Sequence, residues 1–447
     1  LLSKLVWALP GEQKLDLTLD MFERKNKRDV DNKAGASYPD GVKQDSTTKR
    51  TRVSLGHDIV LKDFALFDRL TSKVYIQNAK VDDKTNARYI TGGKQYQRAI
   101  DTTFRNDSIG LTSEAFKQLN ADNALVYGVQ LELTESRRPW VEDRTVIATG
   151  EHQITRKNRM ADMDGTKVAL YARDDYSFKL AGKKAVLTPG LRADYRKLEP
   201  KNLQNYVIAV PDAAKEVRTE SDTYLTPSLS LSVEVLPQIN AYATYTRGTR
   251  LPTAAERTGT YDSFSYTGTG AGYAILGNAN LRKETSNAYE LGLKGDVARG
   301  LSMHASVYQT QYKNMIEYVA QEPDPVNYPT LSWGLFRPEN IGNARTWGAE
   351  LTLRAELGAW APAMQGYHVD LATGVAKGRS FNTRTGESGG LNSVAPAKSA
   401  LTFGYDHANE LFGLALTAVH AGAKQAPENL LIGDPGPLFT VPSYTIF

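Results

Sequence analysis

The sequence contains no cysteine among its 447 residues, and this absence excludes several kinds of protein. Without cysteine the chain has neither a disulfide framework nor a thiolate metal site. Long apolar runs are missing too, because no stretch approaches the roughly 18 apolar residues that a membrane-spanning helix requires. A helical membrane protein is therefore excluded. A transmembrane β-barrel is not, since its strands alternate apolar and polar residues and leave mean hydropathy unremarkable.

An excess of charge of one sign is also lacking. The 54 basic and 50 acidic residues leave a net charge of +4. That balance is too small to predict a nucleic-acid partner, and we expect none. The first residues, LLSKLVWALPGEQ, lack the basic segment, apolar core and cleavage site of a signal peptide. We therefore expect a mature or trimmed chain.

Strict alternation of apolar and polar residues is the strongest pattern that is present. It puts one face of a strand in an apolar medium and the other in a polar one. Four segments show it most clearly: KLDLTLDM (14–21), LVYGVQLEL (125–133), YLTPSLSLSVEV (224–235) and GAELTLRAEL (348–357). Tyrosine is also abundant, at 23 residues against 13 phenylalanines and 5 tryptophans. Its apolar ring and polar hydroxyl suit a membrane interface.

Short and long connections alternate along the chain. The short ones fall at 10–13, 62–68, 119–123, 181–185, 236–239, 298–300, 358–366 and 408–413. The long polar ones fall near 28–48, 82–93, 137–165, 199–222, 249–283, 319–342, 379–394 and 424–439. Short turns on one side and long loops on the other are typical of outer-membrane barrels. We therefore predict an all-β fold, an antiparallel transmembrane β-barrel with about 17 strands.

Two motifs mark the two ends of the segment 249–283. The first reads TRLP (249–252) and is followed by Glu256, and the second reads NANL (278–281) and is followed by RKET (282–285). This pair resembles the Phe-Arg-Ala-Pro and Asn-Pro-Asp-Leu boxes of TonB-dependent outer-membrane receptors, in their haem/haemoglobin branch. The residues that keep the box pattern are Arg250, Pro252, Asn278, Asn280, Leu281 and Glu284, with Glu256 beside the first box. The strands SNAYELGLKG (286–295) and NIGNARTWGAELTL (340–353) also look like the family.

The resemblance implies a barrel of the 22-stranded type. We expect residues 1–447 to be its barrel domain, without the N-terminal plug, the first strands and the last strands. It further implies a monomer in the bacterial outer membrane that catalyses no reaction and takes up haem, alone or from a haem-carrying protein. Haem is then cargo rather than a catalytic cofactor, and the TonB complex acts through the plug. A ferric-siderophore receptor is the main alternative, because the second box also occurs there, and a general porin is a weaker one.

Haem iron is held in proteins by His, Cys, Met or Tyr. The family places a histidine midway between the boxes, and this sequence has none there. Tyr261, Tyr266 and Tyr273 surround that midpoint, so we hypothesise that one of them ligates the iron. The alternative is that all three only pack the loop. Because this segment is rich in Gly, Thr and Ser without a helical or strand period, we expect an irregular extracellular loop.

Two histidines are further candidates for contact with haem. His304 alternates with Met303 and Ala305, so we expect it to face the lumen, either on the haem path or as an ordinary polar lining residue. His152 lies in the long segment 137–165 and is a candidate for an outer contact. No pair of histidines has the spacing of metal ligands. We expect Arg250 and Glu256 to anchor the loop at the strand end through hydrogen bonds.

Overall fold

The computed structural model describes residues 1–30, 34–61, 64–206, 217–264, 272–326, 334–391, 393–409, 411–427 and 438–447. Its elements are almost all strands. The strands are β1 (Leu2–Leu9), β2 (Gln13–Val30), β3 (Val42–Val60), β4 (Arg69–Thr91), β5 (Lys94–Gln118), β6 (Asn123–Arg137), β7 (Pro139–Val146), β8 (His152–Asn158), β9 (Asp162–Leu180), β10 (Lys183–Lys201), β11 (Glu220–Leu236), β12 (Ile239–Arg250), β13 (Thr260–Phe264), β14 (Gly272–Leu276), β15 (Glu284–Ala298), β16 (Leu301–Gln321), β17 (Leu335–Glu356), β18 (Tyr367–Asn382), β19 (Ser388–Gly390), β20 (Lys398–Asp406), β21 (Gly413–Ala421), β22 (Lys424–Pro427), β23 (Leu438–Val441) and β24 (Tyr444–Ile446). One α-helix, α1 (Ala254–Thr258), and three 3-10 turns at Leu203–Asn205, Leu357–Ala359 and Pro362–Met364 complete the described chain.

Seventeen of these strands form one continuous antiparallel wall. In order, they are β1, β2, β3, β4, β5, β6, β9, β10, β11, β12, β15, β16, β17, β18, β20, β21 and β24. Each strand is paired with the next one along the wall. The predicted all-β antiparallel fold, with about 17 strands, is confirmed.

The two faces of the wall differ in chemistry. Apolar side chains form rows across neighbouring strands, and one such row joins Val53, Ile76, Ile109 and Leu133 by register. All four are exposed, and Ile76 retains 65% of its accessible surface. An apolar surface of this extent suits contact with lipid rather than water. We call this the outer face, and the alternating polar positions form the inner face.

The two ends of the wall also differ. At the short-turn end, tight turns such as Ala181–Gly182 and Arg299–Gly300 join the strands, with positive φ at Ala181 (47°), Gly182 (80°) and Gly300 (71°). Glycine adopts such φ values without steric cost. At the other, long-loop end, strands run on and carry the additional elements β7–β8, α1, β13–β14, β19 and β22–β23. No helix in the described ranges is long and apolar enough to cross a membrane.

One predicted long connection is wrong in its form. The segment 82–93 is not a loop, because β4 and β5 stay paired up to Thr91 and Lys94. Gly92 and Gly93, both with positive φ, close a two-residue hairpin there. Gly-Gly is a sequence signal for such a hairpin turn, which the polar composition of the segment obscured.

Candidate functional site

Arg250 joins the end of a barrel strand to the segment between the two boxes. It is the last residue of β12 and lies opposite Glu284, the first residue of β15. Its guanidinium donates to Glu284 Oε1 through Nη2 at 2.7 Å. It also donates to Glu256 through Nη1 at 2.9 Å and Nη2 at 3.0 Å. A planar guanidinium can bind two carboxylates at once, because it offers five donors in a fixed fork.

Glu256 also caps helix α1. The Thr253 hydroxyl accepts from the Glu256 backbone N–H at 3.1 Å, and the Glu256 carboxylate accepts from the Thr253 backbone N–H at 2.8 Å. This reciprocal pair is a capping box. Burial alone would raise the pKa of the Glu256 carboxyl, but the hydrogen bonds from Arg250 and Thr253 hold that pKa below its ordinary value. The carboxylate is therefore charged at neutral pH and keeps both partners.

The second box closes against the same helix. The Asn278 backbone N–H donates to the Glu256 carbonyl at 2.9 Å, and its side-chain amide donates to the Pro338 carbonyl at 3.0 Å. Its side-chain oxygen accepts from the Asn280 backbone N–H at 2.9 Å. Asn280 in turn accepts from Arg218 at 2.9 Å. The two asparagines therefore tie α1 to β17 and to Arg218, which lies two residues before β11.

Buried residues complete the contact between the boxes. Pro252 is fully buried, and Leu281 retains 4% of its surface. The buried Arg257 guanidinium donates to the carbonyls of Ala279 at 2.7 Å and Leu281 at 3.2 Å. Arg257 was not predicted from the sequence, since a lone arginine after a box carries no signal for burial. Together, these contacts join the two boxes in one cluster, the clamp, which we define as Arg250, Glu256, Arg257, Asn278 and Glu284.

The segment between the boxes packs inside the mouth of the barrel. The Thr258 carbonyl accepts from the Tyr206 hydroxyl at 2.8 Å. Ala254 packs on a buried cluster that includes Met163 of β9 and Leu198 of β10. Both strands carry these side chains on the inner face, because their outer positions hold exposed residues such as Leu191. The helix therefore lies against the inner wall at the long-loop end.

The expected irregular loop is wrong in the described part of this segment. Residues 254–258 form α1, and β13 pairs with β14 from Thr260↔Leu276 to Phe264↔Gly272. The capping-box pattern of Thr253 followed three residues later by Glu256 is a sequence signal for the helix. The hairpin is favoured by Thr and Tyr, which fit a pleated strand, but glycine-rich flanks hide its alternation.

A cavity of about 490 Å³ lies between this segment and the inner wall. Its volume falls within the range of small-molecule sites, about 300–1,000 Å³. Residues of the segment, of the wall and of the β7–β8 region line it: Ala255, Gly259, Thr260, Ile275, Gln44, Asp83, Thr85, Thr102, Arg138, Trp140, Arg159 and Tyr318.

One side of the cavity combines an aromatic ring with cations. Trp140 is 8% exposed, and the Arg159 guanidinium lies 4.6 Å from the centre of its ring. Arg159 is held in place by its backbone, which donates to the Arg138 carbonyl at 2.8 Å and accepts from the Thr260 N–H at 2.7 Å. Asp83 is the one carboxylate among the described lining residues. The cavity therefore suits a ligand with a flat apolar body and negative groups.

Sequence reasoning missed Arg138, Trp140 and Arg159. They lie in the segment 137–165, which was expected to be a loop. This segment instead forms the hairpin β7–β8, and β7 pairs with β5 near the long-loop end. The two arginines lie beside one tryptophan only because β7 and β8 form this hairpin. No local sequence motif therefore indicates the site.

The predicted tyrosine ligands lie only partly within the described residues. Tyr266 is outside them. Tyr261 belongs to β13 and Tyr273 to β14. The backbone register pairs Tyr261 with Ile275, a residue that lines the cavity, and pairs Tyr273 with Ser263 two positions along the ladder. The register therefore places Tyr261 opposite a residue of the cavity.

The two predicted histidines do not line this cavity. His304 lies on the inner face, where its Nε2 is 2.7 Å from the Tyr242 hydroxyl, and Tyr242 also donates to Glu290 at 2.5 Å. His152 begins β8 at the long-loop end, is about half exposed, and lies 2.6 Å from Asp143 through its Nε2. In the part of the chain that the structure describes, no group of three His, Asp or Glu residues could hold a metal ion.

A continuous antiparallel wall, an apolar outer face, unequal ends and a structured segment folded into the mouth define a receptor-type transmembrane β-barrel. The family described as TonB dependent receptor-like, beta-barrel matches residues 9–447, and the chain belongs to this family. Barrels of this family are outer-membrane proteins. The resemblance inferred from the two boxes is thereby confirmed.

Among curated relatives, similarity extends to haemoglobin-binding proteins. A hemoglobin and hemoglobin-haptoglobin-binding protein of Haemophilus ducreyi is 24% identical over 245 residues, which is 52% of this chain and 24% of that protein. Hemoglobin and hemoglobin-haptoglobin-binding protein A of Haemophilus influenzae is 24% identical over 249 residues, which is 54% of this chain and 22% of that protein. The match thus spans less than a quarter of each relative's length.

Solved structures share the fold with lower identity. The FrpB iron transporter from Neisseria meningitidis aligns with a TM-score of 0.65 and 12% identity, over 99% of this chain and 64% of that one. The Serratia marcescens hemophore receptor HasR, solved with its hemophore and heme, aligns with a TM-score of 0.61 and 15% identity, over 98% and 64%. The copper transporter OprC reaches 0.66 with 14% identity, over 99% and 61%. Because these proteins are named for different cargoes, the shared fold does not select one.

Proposed function

We propose that the protein forms the barrel of an outer-membrane receptor for the active uptake of haem. The long-loop end faces the outside of the cell, and the short-turn end faces the periplasm. The haem comes free or from a haem-carrying protein, which docks on the long loops. The cavity at the clamp is the observation that carries this proposal, because it joins an aromatic face to two arginines inside the mouth.

The chemistry of this cavity matches haem in two respects. The macrocycle is flat and apolar, so it packs beside the Trp140 ring, which the Arg159 guanidinium and the Lys157 ammonium already approach within 4.6 and 5.0 Å. Its two carboxylates suit Arg138 and Arg159, since a guanidinium pairs with a carboxylate through two parallel hydrogen bonds. The relatives named for haemoglobin binding support the same cargo.

A tyrosine of the segment between the boxes completes the proposed site. A phenolate oxygen is an established type of haem ligand. Tyr261, Tyr266 and Tyr273 are the candidates, and the pairing of Tyr261 with the cavity residue Ile275 favours Tyr261. We propose His152 as a contact for the incoming donor, because it is exposed at the long-loop end. His304 is proposed to line the path through the lumen.

The proposed mechanism is transport without catalysis. Cargo binds at the long-loop end, the TonB complex acts on a plug domain, and the cargo then crosses the lumen. The clamp residues hold the mouth segment in place during this process rather than touching haem. A monomer is sufficient, because the wall supplies both the lipid-facing surface and the site.

Replacing Trp140 with leucine should weaken hemin binding about 2- to 10-fold, because the aromatic contact contributes about 0.5–1.5 kcal/mol. Binding is measured by titrating hemin and following the Soret band. The matched control is Trp360→Leu, which changes an exposed tryptophan at the short-turn end and should leave the affinity unaltered. Equal hemin affinities for wild type and Trp140→Leu would show that haem does not bind in this cavity.

A further inference from the structure

A groove of about 720 Å³ runs along the outer face between β15 and β18. The part of the groove nearer the short-turn end is apolar. There Leu291, Val307, Ala349 and Val375 form one register row. Towards the long-loop end, the next outer row contains Tyr289, Gln309, Trp347 and Lys377. The aromatic pair lies at the level where amphipathic rings mark a membrane interface.

Cations gather directly beyond this aromatic row. Arg345 and Arg379 face each other in the following row, and Lys313 lies one outer position further along β16. We define the basic cluster as Lys313, Arg345, Lys377 and Arg379, all of which are exposed. Arg345 is oriented by a hydrogen bond to Gln309 and lies over the Trp347 ring at 5.8 Å. Among the described residues, the cluster forms no ion pair with a carboxylate.

The same level of the wall is built differently at β2–β6. There the second row beyond the apolar one contains Glu23, Lys49, Lys80, Arg105 and Arg137, joined by register. Every cation of this row has a carboxylate partner: Glu23 for Lys49, Asp82 for Lys80, Asp107 for Arg105 and Glu135 for Arg137. In the rows that contain the groove and the basic cluster, in contrast, the outer positions of β15–β18 hold no acidic residue. The charge at the groove is therefore left for an external anion.

We propose that the groove and the basic cluster bind a lipid with a phosphorylated headgroup in the membrane leaflet at the long-loop end. The apolar part of the groove accepts an acyl chain, and the four cations contact the phosphates. Arginine suits phosphate because its fork donates two parallel hydrogen bonds, and lysine acts as a point charge. Basic residues that lie at membrane-headgroup level attract anionic lipids in the same way. This inference rests on the proposed outer-membrane placement but not on the cargo.

The test places the purified protein in nanodiscs of phosphatidylcholine and titrates diphosphorylated lipid A, with bound lipid counted by native mass spectrometry. The triple variant R345Q/K377Q/R379Q should bind lipid A about 100-fold more weakly, at about 1 kcal/mol for each lost cation. Lipid A stripped of its phosphates should bind wild type no better than it binds the triple variant. Inorganic phosphate at the same concentration should not displace lipid A, because it cannot fill the apolar groove.

The matched control is K49Q/K80Q/R105Q, which removes three cations that already have carboxylate partners. It should retain lipid A binding within about threefold, since the lost charges were neutralised within the protein. Retained affinity in R345Q/K377Q/R379Q, or an equal loss in the control variant, would overturn the proposal. Hemin titrations of the same samples separate the two proposals. The outer-face variant should bind hemin like wild type, and a wild type that ignores hemin yet binds lipid A refutes only the cargo.

Discussion

Replacing Arg250 with glutamine should release the segment between the boxes from the end of β12. Two carboxylates, Glu256 and Glu284, then lose their shared charged donor. Because Arg250 is partly exposed, we expect the free energy of opening α1 to fall by about 1–3 kcal/mol, less than for a fully buried pair. Hydrogen exchange should report this loss as about 5- to 150-fold faster exchange at the amides of Gly259 and Asn278. Hemin affinity should fall as well, because the cavity loses one wall.

Two variants distinguish the fork of Arg250 from its charge. Arg250→Lys keeps the charge but cannot donate to two carboxylates in a planar arrangement, so it should give an intermediate rate of exchange. Arg247→Gln changes an exposed arginine three residues earlier in β12, for which the described residues offer no ion pair, and should leave exchange unaltered. If Arg250→Gln protects the Asn278 amide as well as wild type does, the clamp is not what holds the segment.

Removing the phenol oxygen from one of the three mouth tyrosines should remove the proposed haem ligand. Tyr261→Phe, Tyr266→Phe and Tyr273→Phe each keep the ring and delete the oxygen. Since loss of a residue that merely supports a metal ligand costs about 10- to 100-fold in affinity, loss of the ligand itself should reach at least about 100-fold. The Soret band should also shift in one of the three variants, and we expect it in Tyr261→Phe. The absorbance titration reports both effects.

Tyr245→Phe provides the control for this series. Tyr245 lies on the outer face, where its ring is 5.3 Å from that of Tyr289, away from the mouth. It should bind hemin like wild type. If all three mouth variants keep both the affinity and the position of the band, these tyrosines are packing residues and the iron has another ligand.

The architecture could be predicted from the sequence because a lipid-facing wall requires strict alternation. In β6, for example, Leu131 and Leu133 lie on the outer face and Glu132 between them on the inner face, as their spacing requires. The number of wall strands follows from counting such segments between turns. The additional pairing beyond the membrane, as at Thr91 and Lys94, has mixed polarity on both faces and thus no comparable signal.

The site was less predictable because long-range pairing assembles it. The box residues Arg250 and Glu284 are recognisable as a pair of motifs, but the register of β12 and β15 places them together. Trp140 and Arg159 meet only because β7 and β8 form a hairpin, and α1 is too short for a helical period to stand out. Sequence therefore indicates which segments form the mouth, whereas the cavity depends on how they fold against one another.

The most direct test of the proposed function is a hemin titration of the purified protein alongside a titration with a ferric siderophore chelate. We predict a saturable Soret band at one haem per chain and no binding of the chelate. Arg138→Gln, at the cavity, should weaken the hemin signal, and Arg247→Gln, on the outer face, should not. A protein that binds the ferric chelate, quenches its tryptophan fluorescence on doing so and gives no Soret band with hemin would contradict haem as the cargo.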